Sequence, residues 1–96
     1  MKKAIYAQKA EAIIGRLDLF ENDFIVQRKK DSPYNIAVDL ELLLFKFSRF
    51  YPSLYEVRQV KVAVKSWDTD DFYYDEFCIS SLRTIAAKFI GFLKDE

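Results

Sequence analysis

The chain contains no histidine, one cysteine, two glycines, two prolines and no net charge, with 15 basic residues against 15 acidic ones in 96. Each shortage removes something. Without histidine, most metal sites and most acid–base or nucleophilic triads lose their usual member. With one cysteine there is no internal disulfide, so Cys78 argues for a reducing compartment, and a cytoplasmic location is expected. Gly15 and Gly91 stand alone, so there is no glycine-rich phosphate loop. A net charge of zero disfavours a general electrostatic binder of nucleic acid. The longest uninterrupted apolar run, Leu42 to Phe45, is far short of the roughly 20 residues that span a bilayer. The first residues, Met1-Lys2-Lys3, resemble the start of a signal peptide, but Gln8, Lys9 and Glu11 interrupt the apolar stretch that should follow. No membrane association is expected.

What is present is apolar surface. Hydrophobic residues make up 51% of the chain and aromatics 17%. That is ample to offset the entropy of ordering the chain, so disorder is excluded. The length fits one domain, residues 1–96.

Periodicity predicts an all-α, compact four- to five-helix up-and-down bundle. A first helix spans Lys2 to about Phe20, with Ile5, Ile13, Leu17, Phe20 and Phe24 at helical spacing. Gly15 within it marks a close helix contact or an early end. Asn22-Asp23 can cap a short helix from Phe24 to Lys30. The stretch Asp31-Ser32-Pro33-Tyr34-Asn35 breaks the chain. The greasiest helix is expected from Ile36 to Tyr51, where Ile36, Leu40, Leu43, Phe47 and Phe50 form a stripe that Leu44 and Tyr51 widen. Leu42 and Phe45 project from its other side, so this helix should be central. Pro52 should stop it. Ser53-Leu54-Tyr55-Glu56 has the form of a capping box for a helix from Leu54 to about Ser66, with Val57, Val60, Val64 and Trp67 on one face. The last helix should run from about Asp75 to Lys94, with Ile79, Leu82, Ala86, Phe89 and Leu93 as a seam. Short connections favour antiparallel neighbours. The alternative is an α–β–β–β–α domain with residues 24–29, 36–44 and 57–67 as strands. In it Val60, Val62 and Val64 would share one sheet face.

Zero net charge hides an asymmetry. Residues 1–67 hold 12 basic and 8 acidic side chains, +4; residues 68–96 hold 3 basic and 7 acidic, −4. The acid is concentrated in Asp68, Asp70, Asp71, Asp75 and Glu76, interleaved with Phe72, Tyr73 and Tyr74. Tyrosine gives rigid amphipathic contact at low entropic cost, and carboxylates steer a basic partner. This stretch is therefore the expected partner-binding site. The plainer alternative is that Phe72 and one tyrosine pack inward while the acids cap the last helix. An EF-hand register from Asp68 fails, because Tyr73 stands where glycine is needed and Ile79 where glutamate is needed. No metal and no cofactor are expected.

Arg58, Lys61 and Lys65 form a second surface, a basic face at helical spacing, with Arg28-Lys29-Lys30 as an adjunct. It could bind phosphates, but a solvated helix face accounts for it better. Cys78 has Asp75 and Glu76 beside it and no histidine to pair with, so a packed structural cysteine is expected and no enzyme. No motif names a family. In size and surface character, though in no residue-by-residue match, the chain resembles bacterial toxin-neutralising immunity proteins, antitoxins and phage-encoded inhibitors. That resemblance implies a small protein-binding domain that neutralises a basic partner, such as a nuclease, by occlusion. The alternative is a self-associating or scaffold subunit, including a homodimer in which the +4 and −4 parts meet.

Overall fold

The computed structural model describes residues 3–65 and 72–94, the last helix with its side chains from Cys78 onward. Helix α1 (Lys3–Asp18) passes through a 3-10 turn (Leu19–Glu21) to the short α2 (Phe24–Lys30). Then come α3 (Pro33–Leu44), a second 3-10 turn (Ser48–Phe50), α4 (Tyr51–Lys65) and α5 (Phe72–Lys94). Among the described residues there is no strand, so the α–β–β–β–α alternative is overturned. The reason is visible in the valines: Val60 is buried and Val62 is 66% exposed, which helical period allows and a shared sheet face forbids.

Local chemistry sets several boundaries. The Asp23 side chain accepts a hydrogen bond from the Val26 N–H at 3.2 Å and caps α2. The Ser32 hydroxyl accepts from the Asn35 N–H at 3.3 Å, with Pro33 in the first turn, and caps α3. Caps of this kind contribute about 1 kcal/mol each.

The expected long helix from Ile36 to Tyr51 is in fact interrupted. It ends at Leu44, Phe47 is extended, and α4 begins at Tyr51. Pro52 therefore opens a helix, in a first turn where its missing N–H costs nothing. Ser53 lies inside α4 and is no capping residue. Tyr51, expected to widen the apolar stripe, is 51% exposed, as is Ile5 on α1. Gly15 neither ends α1 nor marks a close approach, since nothing lies within 4 Å of the Cβ it lacks.

Ion pairs and ring contacts fix the helix directions. Arg83 meets Asp18 at 2.7 Å and Lys94 meets Glu11 at 3.9 Å, so α5 runs antiparallel to α1. Arg16 pairs with Asp39, and Tyr6 packs on Phe47, so α3 also runs antiparallel to α1. Arg58 reaches Glu41 while Lys61 lies over Tyr34, so α4 returns along α3. The four long helices thus alternate up and down. α3 packs against α1, α4 and α5, whereas α1 and α4 share no extensive contact among the described residues. α5 likewise packs against α1, α3 and α4, so the four long helices form a flattened bundle in which α3 lies between α1 and α4 on one broad side and α5 on the other. The dimensions, 42 × 25 × 16 Å between Cα extremes, fit that slab. α2 packs chiefly on the first 3-10 turn, away from the middle of the layer.

Leu17, Ile36, Leu40, Leu44, Val57, Leu82 and Phe89 fill the core. The predicted α5 seam, Ile79, Leu82, Ala86, Phe89 and Leu93, is buried throughout, joined by Cys78 and Ile85. At one end, Phe47, Phe50, Phe89 and Phe92 form an edge-to-face knot. It ties the α3–α4 connection to α5.

Candidate docking face

α3 is apolar on nearly every side, yet among the described residues neighbours cover only three of them. Leu40, Leu43 and Leu44 face the core, α1 and α4 flank the helix, and α5 lies behind. The fourth side carries Tyr34, Val38, Leu42 and Phe45 at steps of 4, 4 and 3, one helical stripe. Tyr34 and Val38 are half-buried, while Leu42 is 62% and Phe45 60% exposed.

Both flanks extend this stripe. On α1, Ile5, Lys9, Ala12 and Arg16 recur at one face. Lys9, Ala12 and Arg16 line a shallow groove of about 290 Å³ whose far wall is Asp39, Leu42 and Leu43. On α4, Tyr55 is 65% exposed and Val62 66%, on the side opposite the buried Leu54, Val57 and Val60.

The charges on this face are ordered. The Arg16 guanidinium donates from Nε and Nη2 to both Asp31 oxygens at 2.7 and 2.8 Å, and from Nη1 to Asp39. These bonds to Asp31, and less so to Asp39, raise its pKa further against the opposing effect of burial. Glu41 accepts from Lys61 Nζ at 2.6 Å and from Arg58 Nε at 3.2 Å. The Lys61 bond, helped by Arg58 and opposed by burial, holds the Glu41 carboxyl below the usual carboxylate range. Lys46 lies 5.4 Å from the Tyr6 ring centroid and Arg49 5.0 Å from that of Phe92. Asp31, before the α3 N-terminus, and Asp39, midway along α3, thus share Arg16 on the α1 side of the face, while Lys61, over Tyr34, and Arg58 share Glu41 on the α4 side. Lys9 and Lys46 lie towards the C-terminal end of α3.

Of the basic face read from the sequence, Arg58 and Lys61 converge on Glu41 rather than standing apart from other elements. The Lys65 side chain lies outside the described residues. So do Asp68, Asp70 and Asp71. Phe72, Tyr73, Tyr74, Asp75 and Glu76 belong to the first turns of α5, but their side chains are outside the description too. Cys78 is buried, as expected of a packed cysteine. A second open groove of about 320 Å³, between Phe20, Phe24 and Ile79, has Arg83 in its lining, which pairs with Asp18 and Glu21. Among the described residues no cluster of three or more His, Cys, Asp or Glu side chains could hold a metal ion, and no helix is long and apolar enough to cross a membrane.

Sequence reasoning placed Leu42 and Phe45 opposite the main stripe but missed that this side is open. The signal lay in the count of neighbours: four long helices cannot enclose one of their own number. The chain matches no protein-family model, no curated protein and no solved structure.

Proposed function

We propose that this protein is a non-catalytic, protein-binding domain that works by covering a partner's surface. One observation carries the reading: the central helix of the layer leaves Leu42 and Phe45 in solvent, with Ile5, Tyr55 and Val62 exposed on its flanks. Exposed apolar residues scattered singly need no explanation, whereas a row along one helix, edged by charge, is the anatomy of an interface.

The finer form is a cytoplasmic neutraliser of a basic partner, such as a toxin nuclease. There the acidic aromatic stretch from Asp68 to Glu76 would meet the target, with tyrosines as anchors and carboxylates as substrate mimics. Its support is the chemistry of the sequence: five carboxylates around three aromatics in nine residues. Replacing Tyr73 and Tyr74 by alanine would weaken such a complex by about 2–4 kcal/mol while leaving the domain folded.

The test of the docking reading is site-specific photo-crosslinking in the native host. A photoreactive phenylalanine analogue at Phe45 is expected to give adducts of raised mass containing this chain. The same analogue at Gln8, on α1, serves as the control. Absence of any macromolecular adduct from Phe45 overturns the reading.

A further inference from the structure

We propose that the open face of α3 binds an acidic amphipathic helix presented by another protein, with the apolar stripe of that helix on Leu42 and Phe45 and its carboxylates on Lys9 and Lys46. The inference rests on the docking reading above and states the chemistry of the partner.

The charges on the face select it. Arg16 is shared by Asp31 and Asp39, which leaves one negative charge in excess. Glu41 is shared by Arg58 and Lys61, which leaves one positive charge in excess. The two trios cancel, and each carboxylate in them is already held by a cation of the chain. Lys9 and Lys46 remain, both exposed and neither paired with a carboxylate among the described residues. They lie on the same seam. Lys9 lines the groove between α1 and α3 with Leu42, and the Lys46 ammonium lies over the ring of Tyr6, a near neighbour of Lys9 on α1. The unspent charge of the face is therefore positive and stands beside its exposed apolar residues, Leu42 and Phe45. It attracts a partner that brings carboxylates, and it repels a basic partner or a second copy of the same face.

The apolar row sets the shape. Val38, Leu42 and Phe45 follow at steps of 4 and 3, so the row asks for apolar side chains at matching intervals. Among the described residues there is no strand, so an extended peptide finds no open sheet edge to complete, and a helix laid along a groove is the mode that remains. The groove of about 290 Å³ between α1 and α3 supplies the seat, with the small Ala12 on its α1 wall and Leu42 and Leu43 opposite.

Lipid and nucleic acid fit less well. Anionic lipid is recognised by clusters of about 4–8 basic residues, against the surplus of Lys9 and Lys46 here, and Asp39 is exposed midway along α3 where a bilayer would press. Single-stranded nucleic acid is held by rings that stack its bases, whereas Val38 and Leu42 are aliphatic.

A photoreactive phenylalanine analogue at Phe45 of the full chain, irradiated in the native host, captures the partner, and mass spectrometry after proteolysis reads the attached segment. The expected segment belongs to another protein, has apolar residues at helical spacing and carries more acidic than basic residues. A synthetic copy of that segment is then titrated against the full chain at low salt by fluorescence anisotropy. Its affinity should fall about tenfold for the double variant Lys9→Glu with Lys46→Glu, where two exposed attractions become repulsions. Lys9→Gln with Lys46→Gln, which removes charge alone, should give a smaller loss. Lys88→Glu, a charge reversal on the exposed side of α5, should leave the affinity unchanged. Circular dichroism of all variants should match that of the wild type.

A captured segment without a carboxylate excess or without helical spacing, or one from a second copy of this chain, overturns the inference and leaves the docking reading standing. An affinity equal in the wild type and both double variants does the same. An adduct to lipid or nucleic acid alone, or no adduct, overturns the docking reading as well.

Discussion

Phe89 is the residue on which the end of the bundle closes. It is fully buried, and its ring meets those of Phe47 and Phe50, each at 5.2 Å between centroids, with interplanar angles of 69° and 86°. Phe89→Leu keeps an apolar side chain and removes both edge contacts. Aromatic pairs of this geometry contribute about 0.5–1.5 kcal/mol each beyond their buried area. The smaller side chain adds about 1 kcal/mol through incompletely filled space. The expected cost is about 2–4 kcal/mol, against a total of about 5–14 kcal/mol for a domain of 96 residues. The assay is urea unfolding followed by far-UV circular dichroism. The midpoint should fall while the slope is unchanged, because the surface exposed on unfolding is nearly the same. In a double-mutant cycle with Phe50→Leu, the coupling energy should be about 1 kcal/mol. A cost below about 0.5 kcal/mol with no coupling would mean that the rings fill space without specific contact, and the knot would not be what anchors the α3–α4 connection.

Glu41→Gln should destabilise by about 1 kcal/mol at neutral pH, since two cations lose their carboxylate. Because the folded-state pKa of Glu41 lies below its ordinary 4.5, that contribution is fully present above this value and fades as pH falls through the folded one. Urea midpoints of wild type and variant should therefore converge at acid pH, and a gap as wide at pH 3 as at pH 7 would refute the assignment. Arg16→Gln leaves Asp31 and Asp39 without their shared cation, and should cost about 1–3 kcal/mol in chemical denaturation. Arg16→Lys should recover only part of this, because a point charge cannot reproduce the two-pronged contact with Asp31. Gly15→Ala and Gly91→Ala should each stabilise by about 0.5–1 kcal/mol, for both lie within helices with open space where a Cβ would stand. A lowered melting temperature in either would show a hidden contact.

α5 was legible because every member of its seam packs inward at the spacing of one helical face. α2 was legible from Asp23, whose side chain does cap it. The boundary between α3 and α4 was not, because apolar spacing continues unbroken from Ile36 to Phe50 while the backbone does not. Phe47 and Phe50 reach the aromatic knot from a turn, so burial pressure preserved the period where hydrogen bonding abandoned it. Pro52 was ambiguous on principle: the missing N–H that forbids a helix interior suits a first turn. Ile5 shows the converse limit: eight residues before Ile13 it lies about 80° round the helix, on the face of Lys9 and Arg16, and is exposed.

The open face poses a different problem, one of number rather than period. A helix apolar on all sides is expected at the centre of its bundle, and α3 is indeed central. Being between α1 and α4 still leaves one side uncovered, and among the described residues the one further long helix, α5, lies behind. Among the described residues α2 is the remaining α-helix, and its seven residues pack chiefly on the first 3-10 turn. Leu42 and Phe45 are therefore exposed by the topology, not by a local accident of side-chain choice. Replacing them with polar residues would leave the intramolecular core untouched, so the needs of the monomer do not account for their apolar character. A surface that folding does not require, in a position where association would bury it, is the physical ground for the proposal that this face docks a partner.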